Sequence, residues 1–448
     1  MTIFSTLESI EQAWEKRRGT LQETRRQTIE RRERILRSAI AKGIPTTRSE
    51  DWKYTSLRPL IEQKFDLIGA LAAEKTYLDA ETVEQLKARL APNAIPVVFV
   101  DGRLDLSWPG SEALDPDFFR SLSSAELEED SSWWDSWQSS CGMDGLFAGL
   151  NAGLAHEGFV IGLNRRQVLA RPIHILHVAT KHNRLAARVN RLLISVPECA
   201  KLRVYEEFIA VDQEVGEWSN VLTQFKLGPL ADCGYYRIIA SPGSYHTGSV
   251  TASLEKGSRL ETFSLTAGSR FARINMDIQY NAPDAECILN GLYLACRNEH
   301  VDHHTAVEHR VGNCRTHQFY KGIMADQSRA VFNGKIFIRK DAQGTEAYQT
   351  NKNLLLSTEA EVDTKPQLEI DADDVKASHG AAIGSIDPLE LFYLQSRCIG
   401  RAEAMAMLCR GFANDAVLRL GDDVAKNLLG QRVGEWFKSL VDRMGVLQ

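Results

Sequence analysis

Cysteine is scarce in this chain. Eight occur in 448 residues, at 141, 199, 233, 287, 296, 314, 398 and 409, and the nearest two are nine positions apart. No C-x-x-C is present, which excludes zinc-ribbon and thioredoxin-like motifs, and so low a density excludes a disulfide scaffold. The thiols are expected to be reduced, small apolar core residues. Long apolar runs are missing too: no window approaches 18 residues, so no transmembrane helix is expected. The opening MTIFSTLESI has neither the basic nor the apolar segment of a secretory signal, and the expected location is cytoplasmic. Excess positive charge is absent, since 53 Lys and Arg face 59 Asp and Glu. That balance argues against broad binding to nucleic acid or to an anionic membrane. No G-x-x-x-x-G-K-[ST], no G-x-G-x-x-G opening a helix and no G-x-S-x-G occurs, so neither a P-loop nor a nucleophile elbow is expected. The chain reads as catalytically quiet, its chemistry confined to ligand donation or assembly.

What is present is an ordinary globular composition, 44% apolar and 25% charged, long enough for two or three domains. Residues 15–37 hold nine Lys or Arg and four Glu. Ile29, Leu36 and Ile40 recur there at helical spacing before Gly43 and Pro45. The interspersed glutamates favour a solvated helix laced with Glu–Arg pairs over a nucleic-acid arm. AETVEQLKARL (80–90) is helical in pattern and IPVVFVDG (95–102) strand-like. The acidic stretch 123–140 carries Trp133, Trp134 and Trp137, expected to anchor it to the body.

From about 159 to 386 the pattern changes. Only three prolines lie between Pro197 and Pro366, and helical periodicity disappears. Ala272, Ile274, Met276, Ile278 and Tyr280 alternate with Arg273, Asn275, Asp277 and Gln279, the period of a half-buried strand. Similar runs occupy 201–208, 258–265, 286–294 and 334–340, with no exact repeat. Such a series fits a sandwich, a barrel or a parallel β-solenoid, and a solenoid has open ends that must be capped or given a partner. Helices return at 387. Asp387, Pro388 and Glu390 form a helix start, 401–414 and 423–444 follow, and Val433, Phe437, Leu440 and Met444 make an apolar stripe. The implied division is a helical and mixed N-terminal region (1–158), a β core (159–386) and a C-terminal helical module (387–448).

Two constellations could carry chemistry. Five of 11 histidines (300, 303, 304, 309 and 317) lie between Cys296 and His317, with Cys314 among them, which raises a stand-alone metal site. On a strand, however, His303 and His304 point to opposite faces, so structural imidazoles are favoured. Asp371, Asp373 and Asp374, near Lys376, Ser378 and His379, raise a β-helical carbohydrate enzyme with paired carboxylates.

Residues 317–400 are more specific. The run TKPQLEIDADDVK, then SHGAAIG and LFYLQSR, closely resembles the SufD family of iron–sulfur cluster assembly proteins. HVDHHT (300–305), LNAGLAHEG (150–158) and SEDWKYTSL (49–57) extend the resemblance over nearly the whole chain. The sister SufB family reads roughly C-E-H-E-A where Ala377-Ser378-His379-Gly380-Ala381 stands here. The resemblance implies a mainly β core, a right-handed parallel β-helix, between an N-terminal helical region and a C-terminal helical module. It also implies a non-catalytic scaffold joined to SufB and to the ABC ATPase SufC, the latter docking on the C-terminal helices. A transient iron–sulfur cluster shared with SufB is implied at their interface, with His379 as candidate ligand. A flavin in the complex and a homodimer of the isolated chain stay open. One departure stands out: where SufD proteins commonly carry cysteine two residues before the histidine, this chain has Ala377. Cys398 stands where the family often has glycine.

Overall fold

The computed structural model describes residues 4–21, 26–68, 76–128, 137, 145–180, 187–211 and 216–446, with side chains to 441. Successive strands alternate between two sheets. One sheet begins with Ile95–Val100 and Arg103–Leu104. It then takes Ile173–Ala179, Lys201–Ala210, Asp232–Ile239, Arg259–Ala267, Glu286–Ala295, Arg315–Met324, Thr345–Leu355 and Val375–Gly384. The other runs Phe119–Ser121, Glu157–Gly162, Ala187–Val196, Trp218–Leu227, Tyr245–Leu254, Phe271–Tyr280, His300–His309, Arg329–Ile338 and Glu361–Ile370. Every pairing is parallel except the one that starts each sheet. Two parallel sheets fed alternately by one chain are a β-helix, the expected fold.

The alternation within each strand builds its lumen. Ala272, Ile274, Met276, Ile278 and Tyr280 point inward and are buried against Leu260, Cys287, Leu289 and Tyr293 of the opposite sheet. Glycines inside strands serve this packing. A Cβ on Gly291 would lie 2.2 Å from the Tyr320 ring, and one on Gly322 would lie 2.0 Å from the Tyr293 ring.

A repeat exists, but in the corners. Cys199, Leu230, Gly257, Asp284, Asn313 and Gly344 all have positive φ and follow one another at 27 to 31 residues. Their backbones stack from turn to turn: the N–H of Leu230 donates to Lys256 O at 2.8 Å, and that of Asn313 to Gln343 O at 2.9 Å. Because the left-handed position is filled by five residue types, no sequence repeat shows.

Helices cover both outer faces. Leu146–Leu154, buried along its whole length, lies between the helix Arg26–Ala41 and the second sheet. Asn151 ties it down, giving its amide to the carbonyls of Asn190 (2.8 Å) and Asn220 (3.1 Å). Arg26–Ala41 is only partly the expected solvated helix. Arg26–Glu30 and Arg37–Glu33 are exposed pairs at 2.7 Å. Arg32, by contrast, is buried, and its guanidinium bonds Glu126 (3.0 Å from Nε) and the carbonyls of Gly153 and Ala155. The positive face is thus half structural. Trp137 is buried, with Lys226 Nζ 4.6 Å from its ring centroid; Trp133 and Trp134, the other two expected anchors, lie outside the described residues.

Of the C-terminal helices Pro388–Ser396, Arg401–Val417 and Asp423–Val446, the last two cover the first sheet and the first packs on Arg401–Val417. Asp387 caps the first by accepting from the Leu389 N–H at 2.8 Å. Val433, Phe437 and Leu440 bury against Tyr205, Tyr236, Phe263 and Leu265, while the side chain of Met444 lies outside the described residues. Polar bonds fasten the same face: Arg432 to Glu207 (2.7 Å), the Gly421 N–H to Glu261 (2.9 Å) and Lys321 to Asp415 (2.7 Å). Among the described residues no helix is long and apolar enough to cross a membrane.

Candidate functional site at the open end of the β-helix

The two ends of the β-helix are built differently. At its start both sheets are closed by antiparallel pairings. At its finish, Glu361–Ile370 and Val375–Gly384 are edges, and among the described residues no strand pairs beyond them. Val375 and Ala377 still pack on the lumen core. By alternation His379, Ala381 and Ile383 share their face, yet all three are exposed because no further turn covers them; Ile383 is 51% exposed. An edge with free N–H and C=O groups beside uncovered apolar side chains is a template for another chain.

His379 pairs in register with Gln349, and outward-facing Ser378 with Tyr348. Asp371, Asp373 and Asp374 sit exposed on the corner before the last strand. Asp374 serves the stacked turn, its carbonyl accepting from the Gly344 N–H (2.7 Å) and its N–H donating to Gln343 Oε1 (2.8 Å). Lys376 pairs with Glu346 at 3.1 Å on the surface.

The histidines of 300–317 disperse. His303 faces the lumen, bonded to Thr266 Oγ1 (3.1 Å) and stacked on Tyr293. His309, also inward, bonds Thr316 Oγ1 (2.8 Å) and stacks on Tyr280. His317 stacks outside on Tyr348. Burial pushes the imidazolium forms down, to about 4 for His303 and about 3 for His309. Among the described residues no three of His, Cys, Asp or Glu converge as a metal site.

His300 and His304 have a different duty that the sequence reading missed. The segments SEDWKYTSL and HVDHHT meet. Thr55 Oγ1 donates to Asp302 Oδ2 (2.5 Å) and lies 2.9 Å from His300 Nε2. Arg273 gives Nη1 to Asp302 (2.5 Å) and to the Asp51 carbonyl (2.8 Å), its guanidinium 4.0 Å from the Trp52 ring centroid. Lys335 pairs with Asp51 and Lys365 with Glu50, both at 2.8 Å. Burial opposes ionisation of Asp302, but Arg273 and His304 outweigh it and hold the carboxyl far below the usual range. Both segments carry the resemblance, but the cations that join them, Arg273, Lys335 and Lys365, lie on neighbouring strands outside either one.

Residues 177–412 match the family described as SUF system FeS cluster assembly, SufBD core domain. The chain is 30% identical over 412 residues to the iron–sulfur cluster assembly protein SufD of Escherichia coli, covering 89% of this chain and 91% of the relative. The chain belongs to the SufBD family.

Its type within SufBD is that of SufD, and it is an iron–sulfur cluster assembly protein. A SufBD family protein of Synechocystis is 27% identical over 83% of each chain, and the chloroplast protein ABCI7 of Arabidopsis thaliana is 30% identical over 61% of this chain and 59% of its own. Against the SufD pattern the Ala377 methyl lies on the same face of the strand as His379, so a cysteine there would share the lumen mouth; alanine supplies no donor. Cys398 has φ of 65° just beyond the helix Pro388–Ser396, the left-handed C-terminal position that favours glycine. Cys233, Cys287, Cys296, Cys314 and Cys409 are buried, and burial pushes the thiols of Cys233 and Cys409 up to about 12. On that first C-terminal helix Leu389, Phe392 and Tyr393 stand more than half exposed, an apolar patch unlike the buried faces of the two helices after it.

Proposed function

We propose that this SufBD protein is a non-catalytic scaffold subunit, joined to a SufB-like paralogue at the open end of its β-helix and to a SufC-type ABC ATPase through its C-terminal helices. The domain division at 158 and 386 is part of this proposal. A nascent iron–sulfur cluster is the cargo, formed at the paralogue interface, with His379 supplying one ligand. The observation that carries the reading is the uncovered last turn, a free edge and lumen mouth with His379 at its centre. A neutral imidazole nitrogen is a competent iron ligand, and a mixed His and Cys shell holds a cluster less firmly than four thiolates, which suits a carrier that must release it. With Ala377 lacking a donor, the thiolates come from the partner. Phe392 and its neighbours offer the apolar surface for the ATPase. The anchors Arg432–Glu207 and Lys321–Asp415 would pass motion from the helices to the β-helix. When the paralogue is absent, the same edge can accept a second copy of this chain.

Anaerobic affinity purification from the native cell tests the assembly. Recovery of an ABC ATPase and a SufB-like chain is expected, with Ile383→Lys losing the paralogue and Phe392→Asp losing the ATPase. Recovery of neither with the unaltered chain overturns the proposal.

A further inference from the structure

The lumen carries a polar column that ends beneath His379. Gln318 is fully buried, and its Nε2 donates to Thr305 Oγ1. One turn on, Gln349, 1% exposed, donates Nε2 to Gln318 Oε1 at 2.5 Å. The next position of the same column is His379, in register with Gln349 on the neighbouring parallel strand. Gln349 Oε1 is buried and has no hydrogen-bond partner. The amide has no room to retreat, because a Cβ on Gly334 across the lumen would already lie 2.0 Å from Gln349 Nε2. A buried carbonyl oxygen without a donor costs about 1–3 kcal/mol. Strands about 4.8 Å apart bring in-register side chains of one face within reach of each other, and the residue beside Gln349 on the last strand carries a ring N–H.

We propose that Gln349 is a positioning residue for His379: its Oε1 accepts one imidazole N–H. This fixes the tautomer and turns the lone pair of the other ring nitrogen out of the mouth. Metal-binding histidines commonly have their second nitrogen held in this way. The inference rests on His379 being a ligand, but its geometry can be tested without any cluster. The Gln349 nitrogen is committed to Gln318, so Oε1 is the group left to face the last turn.

The test uses the full metal-free chain labelled with 15N-histidine, at about pH 8 where imidazole is neutral. His379 is assigned by its loss in His379→Ala. The unaltered chain is expected to show one His379 tautomer with a protected ring N–H. In Gln349→Leu both tautomers should appear, with protection lower by about fivefold to tenfold, the worth of one hydrogen bond; Gln349→Glu, which keeps an acceptor, should restore the single tautomer. Mixed tautomers and an unprotected N–H in the unaltered chain overturn the proposal whether or not a variant folds, as does an unchanged tautomer in a folded Gln349→Leu. If His379→Ala in the assembled complex leaves cluster formation intact while the tautomer result holds, the ligand role fails and the positioning stands.

Discussion

The middle and the final turns of one β-helix use the same alternation for opposite ends. Around Tyr280 every inward side chain meets another from the facing sheet, and even histidines are absorbed by stacking and hydroxyl bonds. From His379 onward the inward positions hold an imidazole, Ala381 and Ile383, all exposed, while Ala377 just before them is half-buried. Nothing in the strand pattern itself changes between them; what changes is that no turn follows. A position that is core in a middle turn is exposed by being last.

If that contrast is right, truncations should cost very differently by position. Phe332→Ala in the closed region should lose about 3–5 kcal/mol by cavity formation, and Ile383→Ala in the isolated chain less than about 0.5 kcal/mol. Urea unfolding of both decides it, and equal losses would erase the distinction. Asp302→Ala, which strands the buried guanidinium of Arg273, should cost about 3 kcal/mol. It should also raise hydrogen exchange across 49–57 without altering exchange in Val375–Gly384.

Acid should act on the closed turns first. The buried His303 titrates near about 4 in the folded chain against 6.5 for a free imidazole, with burial as the main cause. Between those values the unfolded chain binds more protons. Stability present above pH 6.5 is therefore lost as pH falls toward about 4, by on the order of 3 kcal/mol for this group. His303→Gln should flatten the urea midpoint over that window, and an unchanged slope would show that the lumen histidines do not govern it. The smallest effect belongs to Cys398→Gly, which relieves a left-handed non-glycine residue and should stabilise by about 0.5–1 kcal/mol.

Much of the β-helix was legible as strands because period-2 alternation survives in each one, as at 272–280. Their two-sheet closure was not, since the repeat lives in corner conformations that Cys199, Leu230 and Asn313 satisfy as well as glycine does. Burial of Arg32 escaped because a charge pattern does not say which arginines meet a carboxylate from another element. His379 emerged from the motif alone, while its placement at an uncovered mouth and above Gln349 required the register. The clasp between 49–57 and 300–305 is a long-range contact that neither segment announces by itself.

The central claim is that the open last turn lends His379 to a cluster shared with the paralogue. Its most direct test is His379→Ala in the complex reconstituted with the SufB-like chain and the ATPase, followed by iron and sulfide content and the cluster's visible spectrum. The account predicts an intact complex that forms little cluster. An intact complex with an unchanged cluster would contradict it.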